Sequence, residues 1–199
     1  MAENMNRKQA SKQRLHEMRE GNERGLYLLH TGNGKGKTSA AMNMVYRHLC
    51  HDLPVAVVQF VKCTDEFPDG DRRMLLRLKE LGMPVEVHTL GTGFSWNATD
   101  IEASRKVAVE AFQTAVGYLK DETTRLVLLD EVHIAIKQNL IDLQTVLEGI
   151  AGRDPMTHVI TTGRYAPDEL IEAADLVTEM KLIKHHISKK IPAQPGIEF

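Results

Sequence analysis

The apolar run LYLLHT at 26–31 gives way at once to GNGKGKT at 32–38, and an amphipathic pattern, KTSAAMNMVYRHLC at 37–50, follows with no gap. No other feature narrows the fold as much. A helix begins with N–H groups that have no partner within it, and these carry about half a positive charge. Glycines at 32, 34 and 36 let the preceding N–H groups turn inward with no Cβ in the way. A buried strand, a glycine loop and a helix, in that order, make a cradle for a phosphate chain. Lys37 is placed to reach a phosphate oxygen, and Thr38 to set a hydroxyl on Mg2+. Gly32, Asn33, Gly34, Lys35 and Gly36 form the wall of the cradle. The match is imperfect. The pattern G-x-x-x-x-G-K-[ST] asks for glycine at position 31, and Thr31 stands there. Spacing leaves open which phosphates the altered loop favours.

Strand and helix patterns alternate along the rest of the chain. Strands are expected at 55–61, 85–90, 126–131, 158–163 and 176–182, and helices at 71–81, about 100–120, 142–152 and 167–174. Runs such as VAVVQFV and LVLLDE are apolar on both faces, which marks a parallel sheet buried on each side. The expected architecture is α/β, a mostly parallel sheet with helices on both faces. With 199 residues in all, the chain can build one substantial core, and residues 25–199 are expected to form that single domain. Residues 1–24 are different. They are polar, rich in Arg, Lys, Glu and Gln, and carry few apolar anchors. They read as an arm, capable of forming a helix but not of burying much against its own domain. The tail KHHISKKIPAQPGIEF is expected to be irregular, because Pro192 and Pro195 block a helix.

Composition excludes more than it identifies. The net charge of −2 gives no general attraction to nucleic acid or an anionic membrane. No segment has the length of apolar sequence needed to span a bilayer, and the first residues have no apolar core of a secretory signal. A cytoplasmic location is the expectation. Cys50 and Cys63 are the only cysteines, too few for a disulfide framework or a zinc cluster. They read as small apolar filler.

A second signal is acidic. Asp130 and Glu131 close the strand LVLLDE. Beside a phosphate loop, acids at a strand end hold Mg2+ directly or through water. Glu131 is the expected direct ligand. The alternative is a pair that only caps the following helix.

The segments TGNGKGKTSAA, VVQFVK, GTGFSW, VLLDEV, VITTGRYAPDELIEAADLVTEM and KH…AQPGIEF together resemble the P-loop type of ATP:corrinoid adenosyltransferase. The resemblance covers nearly the whole chain, in order and with similar spacing, and TGNGKGKT is similar to that family's own form of the loop, threonine included. It implies a P-loop NTPase-like fold. It implies transfer of the 5′-deoxyadenosyl group of ATP to Co(I) of a corrinoid, with the whole triphosphate leaving. The nucleotide would lie reversed in the loop, its γ-phosphate where other P-loop proteins hold the α-phosphate. Co(I) is itself a strong nucleophile, so no serine, cysteine or general base is required. Lys37, Thr38 and Glu131 become the catalytic groups, with Mg2+ on Thr38, Glu131 and Asp130. The resemblance also places Arg47 near the adenine and Arg164 of TTGRYAP at the phosphates or the loop. Phe94 and Trp96, the latter the single tryptophan, would press beneath the corrin ring and exclude its lower ligand, which makes Co(II) easier to reduce. It further implies an electron-donating flavoprotein and a homodimer in which the arm covers the partner's site.

Two positions depart from the family pattern: Asn97, where Glu is common, and Cys63, where Gly is common. His133 reads as a partly exposed helix residue. Three rival readings remain on sequence grounds. A P-loop kinase would transfer the γ-phosphate. A nucleic-acid motor would need a basic groove, which the sequence does not offer. A corrinoid and ATP carrier would bind both and catalyse nothing.

Overall fold

The computed structural model describes residues 23–62, 69–91 and 101–198. Six strands form one sheet: β1 (Tyr27–Thr31), β2 (Val55–Phe60), β3 (Val85–Leu90), β4 (Leu126–Asp130), β5 (His158–Thr162) and β6 (Leu176–Glu179). Their order across the sheet is β3-β2-β4-β5-β1-β6, and each neighbouring pair is parallel. The helices are α1 (Lys37–Leu49), α2 (Gly70–Glu80), α3 (Ile101–Lys120), α4 (Val132–Lys137), α5 (Leu143–Ala151) and α6 (Asp168–Ala173). A short 3-10 helix, His186–Lys189, lies in the tail.

Side chains alternate across a strand, and here the alternation feeds two cores. Tyr27, Leu29, Val127 and Leu129 pack with Ala108, Ala111, Phe112, Ala115 and Leu119 of α3. Leu28, Leu126 and Leu128 pack on the other face with Ala41, Met42, Val45 and Leu49 of α1 and Leu75 of α2. Each fully buried Val, Leu or Phe contributes roughly 1.5–3 kcal/mol, so both faces must be covered for the sheet to form. On α3 the buried residues recur at helical spacing, and the alanines let the helix approach the sheet. Gly149 serves the same end on α5: a Cβ there would lie 2.6 Å from Phe112 Cζ. Helix starts follow their caps. Asp69 accepts from Arg72 N at the head of α2, and Asp142 accepts from Thr145 N at the head of α5.

Four expectations need correction. Residues 132–137 form a short helix that the sequence reading passed over; it is too brief to show a helical period. The last strand, expected over 176–182, ends at Glu179; it lies at the edge of the sheet, and Leu176 and Val177 are 44% and 41% exposed. Cys50 is exposed at the end of α1 rather than core filler. The tail is not wholly irregular, since its prolines lie beyond the 3-10 turn. Cys63 and residues 1–22 of the arm lie outside the described residues. Among the described residues, no helix is long and apolar enough to cross a membrane.

Candidate functional site

Four neighbouring strands, β2, β4, β5 and β1, release their chains at one edge of the sheet, and the polar residues converge there. In open parallel sheets, the crevice beyond the carboxyl ends of the strands is where ligands bind.

The loop after β1 is shaped by its glycines for two separate reasons. Gly32 and Gly34 lie against the chain leaving β6, and Gly34 N donates to Met180 O at 2.7 Å. A Cβ would come within 2.4 Å of Met180 O at Gly32, and within 2.7 Å of it at Gly34. Gly36 faces open space but has φ 108°, a conformation that costs other residues dearly. It is the residue from which α1 starts. Thr31 needs no such freedom. It is the last residue of β1 and pairs with Glu179 of β6, so the absent glycine reflects a strand extended by one residue.

Lys37 is buried at the head of α1. Its ammonium donates to Gly32 O at 2.9 Å and Gly34 O at 2.7 Å, so it braces the loop it belongs to. Burial lowers its pKa, which raises the gain on meeting an anion. His30 Nδ1 donates to Lys37 O at 3.2 Å and fixes the first turn of α1 from below.

Asp130 is the hub of the site. Its side chain has no solvent exposure. Oδ1 accepts from Thr38 Oγ1 at 2.9 Å and from Thr162 Oγ1 at 2.7 Å. Oδ2 accepts from Lys62 Nζ at 2.8 Å. Burial opposes ionisation, but Lys62 and the two hydroxyls outweigh it, and the carboxyl pKa lies below its usual value. Lys62 also reaches Asp69 Oδ2 at 3.1 Å, the residue that caps α2. Gln59 donates to Asp69 at 2.9 Å and accepts from Thr89 at 2.8 Å. Lys62 is brought inward by Val61, whose φ is 64°. That conformation is rare for a β-branched residue and persists only where the surroundings enforce it.

Glu131 also has positive φ, at 63°. This turns the chain sharply between β4 and α4. Its N–H donates to Thr162 Oγ1 at 2.9 Å. Burial, and then the neighbouring Asp130, raise its pKa, while Lys62, Lys37 and Arg164 oppose the rise. Thus the two adjacent acids are driven apart: Asp130 is held ionised by partners, and Glu131 is short of them.

His133 is buried, not partly exposed as its sequence suggested. Its Nδ1 donates to Gly163 O at 3.1 Å, and its Nε2 accepts from Thr161 Oγ1 at 2.9 Å. Tyr27 OH completes the chain at 3.1 Å from Thr161 Oγ1. Burial drives the His133 pKa down to about 4, so the ring is neutral. It supports the turn carrying Arg164 and has no free nitrogen for chemistry.

Of the residues expected from sequence, the structure gathers Gly32, Gly34, Lys35, Gly36, Lys37, Thr38, Asp130 and Glu131 at one place. Asn33 is exposed on the loop, and Arg164 is exposed on the turn after β5, close enough to act electrostatically on Lys37 and Glu131. Arg47 lies in the last turn of α1, about 15 Å along the axis from Lys37, and does not join the loop cluster. Phe94, Trp96 and Asn97 lie outside the described residues. Sequence reasoning missed Lys62, Thr162, Gln59 and Asp69. Lys62 and Gln59 carried a readable signal, a lone cation just past a strand that is apolar but for one amide. Thr162 carried none.

Glu198 was also missed. It pairs with Lys35 of the loop through Oε2, so the end of the chain returns to the phosphate loop. Lys35 is half-exposed, and an ion pair with one solvated partner adds little stability; the contact matters for where it puts the tail.

Residues 23–199 match the family described as ATP:corrinoid adenosyltransferase BtuR/CobO/CobP. A corrinoid adenosyltransferase from Sinorhizobium sp is 43% identical over 178 residues, 89% of this chain and 81% of that protein. One from Pseudomonas aeruginosa is 44% identical over 177 residues, covering 89% and 85%. One from Escherichia coli K12 is 36% identical over 177 residues, covering 89% and 87%. Among solved structures, the flagellar accessory protein FlaH from Methanocaldococcus jannaschii superposes with a TM-score of 0.50 at 11% identity, over 78% of this chain and 70% of that one. That likeness speaks for the fold alone.

Proposed function

The chain belongs to the ATP:corrinoid adenosyltransferase family, and from that premise we propose how its own residues carry out the transfer. The reaction moves the 5′-deoxyadenosyl group of ATP to a corrinoid. Co(I) supplies the electron pair, a Co–C5′ bond forms, the C5′–O5′ bond breaks, and triphosphate leaves with that bond's electrons. The protein must hold C5′ in line with cobalt and neutralise the departing charge.

The observation that carries this reading is the bond from the Thr38 hydroxyl to Asp130. The hydroxyl proton is committed to a buried carboxylate, which leaves the oxygen lone pairs for a cation. Asp130 itself is filled by Thr38, Thr162 and Lys62. Glu131 is the carboxylate with capacity to spare. The donor set therefore fits Mg2+, a hard ion that takes oxygen ligands and keeps water. Thr38 and Glu131 would hold it, with Asp130 acting through Thr38. Bound there, Mg2+ would supply charge neutralisation for the triphosphate.

Lys37, Lys35 and the loop amides bind the triphosphate from the remaining sides. Arg164 adds a cation from the turn after β5, and Arg47 is assigned to the adenine end of the nucleotide. Asn33, on the loop's exposed side, is assigned to contact the nucleotide. Phe94 and Trp96 are assigned to the corrin floor. The arm at 1–24 is assigned to cover the site of a partner subunit in a homodimer, with residues 25–199 as the single catalytic domain. A flavoprotein supplies the electron that makes Co(I), and the enzyme works in the cytoplasm.

The test is anaerobic incubation with MgATP and chemically reduced cob(I)alamin, followed by identification of both products. A light-sensitive Co–C bond and inorganic triphosphate should appear in equal amounts. ADP would identify a kinase, and tight corrinoid binding without turnover would identify a carrier. For the corrin floor, Phe94→Ala with Trp96→Ala should impair the reaction from Co(II) far more than from preformed Co(I). Equal loss in both assays would remove the ligand-excluding role.

A further inference from the structure

Three side chains able to ligate a metal meet where the tail returns to the phosphate loop. One atom from each of His185, His186 and Glu198 lies within 4.8 Å of the others. His185 precedes the 3-10 helix and His186 opens it, while Glu198 comes from the far end of the tail. None of them belongs to the Thr38–Asp130–Glu131 group.

The cluster is poorly satisfied by hydrogen bonds. His186 Nε2 and Glu198 Oε1 approach to 2.7 Å. Both atoms are shut off from solvent, and neither has an aligned hydrogen-bond partner. A buried nitrogen and oxygen left in this way are costly, and a cation shared between them satisfies both. His185 Nδ1 accepts only a long bond, 3.2 Å, from Ile187 N. The remaining oxygen of Glu198 is already held by Lys35, which keeps the carboxylate ionised and in place.

We propose that His185, His186 and Glu198 form a binding site for a divalent transition ion of the Zn2+ type, which fastens the C-terminal segment beside Lys35. Two imidazoles and one carboxylate are a zinc ligand set, and three protein ligands leave one position open for water. Mg2+ and Ca2+ take oxygen ligands and would not choose the imidazoles. Tetrahedral zinc with bonds of about 2.0–2.2 Å spaces its ligand atoms about 3.3 Å apart. The His186–Glu198 pair at 2.7 Å is tighter than that and all three atoms lie within 4.8 Å, so shifts of about an ångström in a surface turn complete the site. Because Glu198 is shared, metal occupancy draws negative charge away from Lys35 and so couples the site to the phosphate loop.

The experiment uses full-length, tag-free protein in a buffer without phosphate or nucleotide. Co2+ is titrated as the spectroscopic probe, and Zn2+ is added to displace it. The expected result is the intense visible absorption of tetrahedral cobalt, saturating at one equivalent and abolished by zinc. Zn2+ should also raise the melting temperature. Both effects should be lost in His186→Ala and in Glu198→Gln, each shown to be folded by circular dichroism. Glu131→Gln should keep them, which separates this site from the one assigned to Mg2+. A weak octahedral cobalt spectrum in the wild type would overturn the proposal and leave the cluster a histidine–carboxylate contact. Bands unchanged in both tail variants would overturn it as well, by placing the metal elsewhere.

Discussion

Lys62 and Asp130 form an ion pair at 2.8 Å between the ends of adjacent strands β2 and β4. The pair does more than neutralise a buried acid. Asp130 holds Thr38 at the head of α1 and Thr162 at the end of β5, while Lys62 reaches Asp69 at the cap of α2. One contact therefore sets the mutual position of the phosphate loop, two strands and a helix start.

Lys62→Met should leave Asp130 charged and buried with only neutral partners, the hydroxyls of Thr38 and Thr162 and a long contact at 3.5 Å from the Gln59 amide. Removing one member of a fully buried pair costs roughly 3–5 kcal/mol. Lys62 is 31% exposed, so solvent recovers part of this, and a loss of about 2–3 kcal/mol is expected. Urea unfolding at neutral pH measures it. The double variant Lys62→Met with Asp130→Asn should regain part of the loss. If the double variant is no better than the single one, the pair is not the source of the effect.

Much of this was readable beforehand, and the reasons are local. The strand–loop–helix at 26–50, the doubly apolar strands and the two acids after LVLL follow from periodicity and from the geometry of chain ends. Thr162 was not readable, because a threonine closing a strand resembles every other strand threonine. Its value comes from the register that sets β5 beside β4. Glu198 was invisible for a similar reason: it is 163 residues from Lys35, and nothing in its neighbourhood marks the return. His133 was misread because a helix as short as α4 shows no face.

The folded state keeps His133 neutral, with a pKa of about 4, against about 6.5 when unfolded. Between these values the unfolded chain binds the extra proton. The contribution is complete above pH 6.5 and is lost as the pH falls towards 4, with a slope of up to about 1.4 kcal/mol per pH unit. His30, also buried, has a pKa lowered in the same sense. His133→Gln should be less stable than wild type at pH 7, and the gap should narrow as the pH falls to 4.5. Parallel stability curves for the two proteins would refute a buried neutral ring.

Gly163 closes β5 at φ 142°, and a Cβ there would sit 2.7 Å from His133 Cβ. Gly163→Ala must strain the backbone and also push His133 away, breaking its bond to Gly163 O. A loss of about 2–3 kcal/mol is expected. The turn it displaces carries Arg164, so the KM for ATP should rise even where the variant remains folded. Thermal melting and steady-state kinetics on the same sample check both effects. A melting curve like that of wild type would show that the turn can open without cost.

Glu131 offers the sharpest test of the metal assignment. Its pKa is raised, first by burial and then by Asp130, and only the ionised form can hold Mg2+. At limiting Mg2+ the rate should therefore climb as the pH rises through that elevated pKa, while saturating Mg2+ should move the climb to lower pH. Glu131→Gln removes the titrating group. It should weaken the apparent affinity for Mg2+, lower kcat about a hundredfold, as loss of one preorganised electrostatic partner does, and abolish that limb of the profile. Chelation of Mg2+ should silence the wild type, and the variant should need more Mg2+ than the wild type to reach half of its own maximal rate. The measurement is anaerobic, starts from preformed Co(I) so that reduction does not limit the rate, and runs from pH 5 to 8. A variant that keeps both the wild-type Mg2+ dependence and the limb would transfer the direct ligand role to Asp130. In that case Thr38 and Lys62 would have to release Asp130 when the nucleotide binds.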